Sequence, residues 1–182
     1  RSRTGTRRLA KPASASRRAL PSGALPCASG NWPSSARQAA SRGRLRLVGI
    51  APAGSVGAAR SRHGARALAA ALGEFFDFDE WALVLGVLGD KDAEGIIDAL
   101  APVITRVFTT QPESPRASDA ETLADLIELR GVVVSAHPAS DDAMDTARRW
   151  AAEADRRAVL IAGSVVLAGE AIAYAESEGW KA

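Results

Sequence analysis

Trp81-Ala82-Leu83-Val84-Leu85-Gly86-Val87 is a nearly continuous apolar run. Its length and content suit a strand buried on both faces, as strands are in a parallel sheet. Ala158 to Ala162 reads the same way. A chain with two such strands must also supply helices to cover both sides of the sheet.

The rest of the sequence supplies them. Leu45 to Ile50 alternates like a strand, Pro52 and Gly54 mark a loop, and His63 to Glu74 carries apolar or small residues at helical spacing. After the Trp81 run, Asp92 to Leu100 reads as a helix stopped near Pro102, and Thr105 to Thr110 as a short β-branched strand. Pro112 and Pro115 force an extended loop. Ser118 with Glu121 makes a capping box for a helix through Leu123, Leu126, Ile127 and Arg130, and Gly131 follows as its C′ residue. Val132 to Val134 is a strand. Ser140 or Asp141 caps a helix running to about Asp155, and a last helix spans Val166 to Glu178 before Gly179.

Strand and helix alternate throughout. The predicted fold is therefore α/β: a mostly parallel, Rossmann-like sheet of roughly five or six strands, helices on both faces, right-handed crossovers. Ligands of such sheets sit beyond the C-terminal strand ends at a switch point. That singles out the loops after Val87, Thr110 and Ala162.

Charge divides the chain at about residue 42. Residues 1–42 hold nine of the 23 basic residues and none of the 21 acidic ones, so residues 43–182 carry a net charge of −7. The sequence pI near 9.1 belongs to the first segment and gives the folded part no nucleic-acid character. Residues 1–42 are rich in Arg, Ser, Ala and Pro, lack periodicity, and are expected to be disordered. They also fit a non-native or truncated segment, since the chain begins with Arg1, as well as a transit peptide or a basic arm. Residues 43–182 are expected to form one domain. No apolar run approaches the ~18 residues of a membrane span. The lone Cys27 excludes an internal disulfide and suits a reducing, cytoplasmic setting. With His63 and His137 it falls short of the about four ligands of a Cys/His zinc site, and no metal ligands are assigned.

Three loops carry the residues suited to chemistry. Gly86-Val87-Leu88-Gly89-Asp90-Lys91-Asp92 leaves a buried strand and enters a helix. A helix N-terminus offers free N–H groups, and Lys91 adds a mobile cation for a phosphate; Asp at a helix start is equally a stabilising cap. Thr110 to Ala117 is a stiff polar loop in which Arg116 either grips a carboxylate or phosphate with two bonds or is simply solvated. In Ile161-Ala162-Gly163-Ser164 the serine is a ligand contact or, more simply, an N-cap. His137, before Pro138, reads as a surface loop residue. No G-x-x-x-x-G-K-[ST], G-x-S-x-G, H-E-x-x-H or G-x-G-x-x-G motif occurs, and no residue is assigned as a catalyst.

Taken together, Leu85-Gly-Val-Leu-Gly-Asp-Lys-Asp92, Ser114-Pro-Arg-Ala117 and Ile161-Ala-Gly-Ser-Val165 resemble the C-terminal, Mur-ligase-type domain of the folylpolyglutamate/dihydrofolate synthases, from about Gly43 to about Tyr174. A fourth family stretch, Asp-Ala-Ala-His-Asn-Pro-His-Gly, is matched by Gly57 to Gly64, with His63 and Gly64 kept. The family's aspartate, implied to contact the nucleotide ribose, is Gly57, and its first histidine is Arg60.

The resemblance implies an ATP-dependent acid–amino-acid ligase that adds glutamate to dihydropteroate or folate through an acyl phosphate. It implies a substrate and nucleotide cleft containing His63, Asp90, Lys91, Asp92, Ser114, Arg116 and Ser164. ATP and Mg are implied as well, bound mostly by an N-terminal domain that also carries the phosphate loop. On that basis the 182 residues are expected to be a fragment or degraded copy with negligible activity alone. A stand-alone nucleotide or small-molecule binding module, and one half of a split ligase, are the alternatives.

Overall fold

The computed structural model describes residues 46–50, 53–57, 61–76 and 78–178. The expectations for residues 1–42, including Cys27, and those for Leu45, Pro52, Arg60 and Gly179 lie outside the described residues. Eleven elements follow one another: β1 (Arg46–Ile50), β2 (Ala53–Gly57), α1 (Arg62–Phe75), β3 (Glu80–Leu85), α2 (Ala93–Leu100), β4 (Arg106–Thr110), α3 (Ala120–Glu128), β5 (Val133–His137), α4 (Ser140–Ala152), β6 (Arg157–Ala162) and α5 (Val165–Ser177). A short 3₁₀ turn, Ala101–Val103, carries Pro102 and ends α2.

Six strands form one sheet in the order β1-β2-β6-β3-β4-β5. β1 runs antiparallel to β2; every other neighbouring pair is parallel. The centre of the sheet is β3, paired Trp81 to Ala158 and Leu85 to Ala162 on one side, and Ala82 to Arg106 and Leu85 to Thr109 on the other.

Successive β3 side chains point to opposite faces, and both faces are covered. Trp81, Leu83 and Leu85 pack with Leu68 and Leu72 of α1, Ile96 and Leu100 of α2, and Leu123 and Ile127 of α3. Ala82 and Val84 pack with Ala143, Met144, Ala147 and Trp150 of α4, and Leu167 and Ala171 of α5. This two-sided burial is why the run from Trp81 is apolar without alternation.

The distribution of helices follows from the strand order. From β2 through β3 to β5 the chain advances in one direction, and α1, α2 and α3 lie on one face. It then jumps back from β5 to β6, between β2 and β3. A crossover of unchanged hand in the reverse direction must use the other face, and α4 does. At β6 and β3, neighbouring strands therefore send their following helices to opposite faces. That is the switch point of the sheet.

Four local expectations are corrected. Gly54 lies inside β2, not in a loop. Helix α3 is capped by Asp119, whose carboxylate accepts from Thr122 N at 3.0 Å, while Ser118 N donates to Val87 O at 2.9 Å. The residue preceding α4, Ala139, offers no side-chain cap, and the helix stops at Ala152. His137 closes strand β5 half-buried, its Nε2 3.0 Å from Ser135 Oγ. Gly131 adopts φ +70°, the left-handed conformation expected of a C′ glycine.

Candidate functional site

The three polar loops leave the sheet at adjacent strand ends and touch one another. Gly86 N donates to Ala162 O at 3.3 Å, joining the ends of β3 and β6. Gly89 N donates to Arg116 O at 2.7 Å, and Leu88 and Ala117 form an isolated antiparallel bridge, joining the loops after β3 and β4.

Glycine makes this approach possible. A Cβ on Gly163 would lie 2.5 Å from the Gly86 carbonyl oxygen, and Gly163 has φ +116°; a Cβ on Gly86 would lie 2.6 Å from Pro112 Cγ. Neither contact is compatible with an ordinary side chain, so the stack Gly163–Gly86–Pro112 fixes the spacing of all three loops. Sequence reasoning read Gly86 and Pro112 as loop-formers and missed that they meet, because they are joined only through the fold.

The charged groups stand on the outer side of this junction. Asp90 pairs with Lys91 Nζ at 2.5 Å and with Arg116 Nη1 at 4.0 Å. The Lys91 hydrogen bond, aided by the charges of Lys91 and Arg116, holds the Asp90 carboxyl below its ordinary range. All three side chains are substantially exposed, Arg116 by 68%. Such pairs contribute little to stability, so an incoming anion can replace Asp90 on either cation at small cost.

The other sequence-assigned residues take different positions. Asp92 is the N-cap of α2, accepting from Gly95 N at 2.8 Å. Ser114 Oγ accepts from Arg116 N at 3.3 Å, shaping the turn that presents the arginine. Ser164, 2% exposed, caps α5 by accepting from Leu167 N at 3.1 Å. His63 sits exposed in the first turn of α1, and β2, which leads into α1, ends at Gly57 beside Ala162. The structure thus brings Asp90, Lys91, Arg116, Ser114 and Ser164 to one rim, with Asp92 and Ser164 committed to helix caps. No three His, Cys, Asp or Glu side chains gather into a metal-holding set among the described residues. Asp90 and Asp92, each already partnered, do not fit a magnesium site, and no chemical step is assigned to a metal here.

This is a doubly wound α/β domain with a polar, partly cationic rim at its switch point, the place where ligands of such sheets sit beyond the strand ends. The particular family emerges from comparison. The model of the Mur ligase, glutamate ligase domain matches residues 43–165. A dihydrofolate synthase/folylpolyglutamate synthase of Mycobacterium tuberculosis is 40% identical over 144 residues, 72% of this chain and 30% of the relative. A crystal structure of Mycobacterium tuberculosis folylpolyglutamate synthase, complexed with ADP and AMPPCP, superposes with a TM-score of 0.69 at 41% identity, covering 73% of this chain and 32% of that one. A bifunctional folylpolyglutamate synthase/dihydrofolate synthase from Yersinia pestis, complexed with AMPPNP and a Mn ion, gives 0.63 at 25% identity, covering 72% and 30%. The chain belongs to the Mur ligase family and carries its glutamate ligase domain, in the form found as the C-terminal part of folylpolyglutamate/dihydrofolate synthases. It spans about 30% of the length of the Mycobacterium tuberculosis relative.

Proposed function

We propose that residues 43–182 form one domain that supplies one wall of the cleft of an ATP-dependent ligase joining glutamate to a folate or dihydropteroate carboxylate. In this reaction ATP phosphorylates the acceptor carboxylate, the glutamate amine attacks the acyl phosphate, phosphate departs, and an amide remains. Such chemistry depends on positioning and on neutralising charge on the transferred phosphoryl group. The observation that carries the reading is the rim itself: Lys91 and Arg116 project from two loops locked together at the switch point, sharing a single displaceable carboxylate, Asp90.

In this reading Lys91 and Arg116 grip phosphate or carboxylate oxygens, Arg116 in the two-bond geometry open to guanidinium. Ser114, Ser164 and Asp92 hold the loops that present them. His63 lines the neighbouring end of β2 and α1. The phosphate loop and the groups that hold Mg come from the polypeptide corresponding to the rest of the relatives' length, and the reaction takes place in the cytoplasm, where ATP is available. The nucleotides in the Mycobacterium tuberculosis and Yersinia pestis structures support ATP as the co-substrate. The departure at Gly57, which replaces a carboxylate of the family pattern, weakens the hold on the ribose, and Arg60 replaces an imidazole implied to line the cleft.

The test is an assay of ATP- and glutamate-dependent lengthening of a reduced folate, with dihydropteroate as the second acceptor. The 182-residue chain is mixed with a polypeptide carrying the phosphate-loop domain of a relative. Turnover in the mixture, negligible for either part alone and reduced about 10²-fold by Arg116→Ala, is the expected result. Equal turnover by the mixture with and without this chain sinks the reading.

A further inference from the structure

The loop that carries Arg116 is anchored by a residue far from it in sequence. Glu170 lies in the second turn of α5, on the opposite face of the sheet from α2 and α3. Its Oε1 accepts from the backbone N–H of Glu113 at 2.6 Å. Its Oε2 accepts from the Ser140 hydroxyl, at the start of α4, also at 2.6 Å. Ser140 in turn lies 3.5 Å from Thr110 Oγ1, at the last, fully buried residue of β4.

One carboxylate therefore spans three structures: helix α5, the start of α4 after β5, and the loop after β4. Its reach does not stop there. Glu113 is followed by Ser114, which takes the Arg116 N–H, and Arg116 O takes the Gly89 N–H of the loop carrying Lys91. Beyond the β4–β5 ladder, which ends with Thr110 beside His137, Gln111 N donates to Pro138 O at 3.4 Å. Hydrogen bonds to an ionised carboxylate are the stronger kind. The Glu170 clamp thus ties the Arg116 loop to both helices on the opposite face through two short hydrogen bonds.

We propose that Glu170 is a positioning residue for Arg116: it holds the loop Gln111–Ala117 so that the guanidinium faces the same anion as Lys91. It acts through the loop and does not itself touch the ligand. The inference rests on the proposed role of Arg116, but the clamp has a readout of its own.

The experiment compares Glu170→Ala, Glu170→Gln and Arg116→Ala, singly and as Glu170→Ala/Arg116→Ala, in the full chain. Two quantities are measured: hydrogen exchange of the Glu113 amide, and affinity for ADP by calorimetry. Glutamine keeps a carbonyl acceptor for Glu113 N and an amide group that Ser140 Oγ accepts, so it should restore most of what alanine removes. Glu170→Ala should speed Glu113 exchange at least tenfold and weaken ADP about as much as Arg116→Ala does, with no further loss in the double variant. A residue that merely stabilises the fold would lower the melting temperature and add its loss to that of Arg116→Ala. Unchanged Glu113 exchange in Glu170→Ala, or additive losses in the double variant, overturns the inference. If Glu170→Ala does not fold, Glu170→Gln and Ser140→Ala, which removes one arm of the clamp, carry the exchange test, and fast exchange is required of Ser140→Ala relative to Glu170→Gln. Should Arg116→Ala bind ADP as the parent does, the role given to Arg116 fails while Glu113 exchange still decides the clamp.

Discussion

At the scale of single residues, the rim depends on Gly163, whereas Gly169, in the helix that follows, is dispensable. Gly163 combines a φ of +116° with a Cβ position only 2.5 Å from the Gly86 carbonyl oxygen. An alanine there meets backbone strain of about 1–3 kcal/mol and an overlap of about 1–3 kcal/mol. Gly163→Ala should therefore destabilise the domain by about 2–6 kcal/mol, read as a lower denaturation midpoint. Gly169, in the exposed middle of α5, has nothing within 4 Å of its Cβ position. Gly169→Ala should stabilise by up to about 1 kcal/mol through helix propensity. Two glycines six residues apart thus move stability in opposite directions, and equal effects would contradict the account of the loop junction. The sequence marked Gly163 as part of a loop, but the partner that makes it irreplaceable, Gly86, is distant along the chain. Glu170 was invisible for the same reason: a glutamate on a helix reads as solvated until the loop it clamps is known.

At the scale of elements, the legible parts were those whose signal is local. The buried strands β3 and β6 were readable because burial on both faces forces a continuous apolar run, and the helices because their apolar residues recur at helical spacing. What escaped was set by pairing across the chain. Strand β2 contains Gly54 and follows Pro52, which locally argue for a loop; only its parallel register with β6, Gly54 beside Val159, makes it a strand. The α3 cap lies at Asp119, whose carboxylate accepts from Thr122 N, while Ser118, one residue earlier, is tied to the loop after β3 through Val87 O. His137 became the end of β5 through pairing with Thr110. The α4–α5 pair offers a pH test. Tyr174, the single tyrosine of the chain, donates to Asp145 Oδ1 from the neighbouring helix. Burial first, then the Asp145 hydrogen bond and nearby acidic charges, push its ionisation well above the ordinary value of 10.0. A raised folded-state value favours the native state fully below the ordinary value, and that advantage is lost as pH rises past it. Alkaline titration followed by near-ultraviolet absorbance should therefore show Tyr174 ionising late, together with loss of structure. Asp145→Asn should bring the ionisation down. An ordinary titration in the intact fold would contradict this packing.

At the scale of the whole molecule, charge separates what the rim does from what the rest of the domain does. Residues 43–182 carry a net charge of −7, yet the rim presents Lys91 and Arg116 around one carboxylate. A domain repulsive to anions overall has a local cationic spot at its switch point, so anion binding should be short-ranged and should weaken as salt rises. ADP affinity should fall as salt is raised to a few times physiological strength, and the fall should be shallower in Lys91→Ala. A salt-independent affinity would mean that the nucleotide is held elsewhere. The six-stranded order and its single reversal at β6 decide where that spot lies, because they bring the ends of β3, β4 and β6 side by side.

In the proposed function one rim, built from the loops after β3, β4 and β6, is the binding face of this domain. Nuclear magnetic resonance of the isotope-labelled chain titrated with ADP tests it most directly. Amide shifts should be confined to residues 86–92, 111–118 and 162–166 and abolished together in the double variant Lys91→Ala/Arg116→Ala. Shifts centred on the opposite ends of the strands, around Asp79 and Arg156, or unchanged in that double variant, would contradict it.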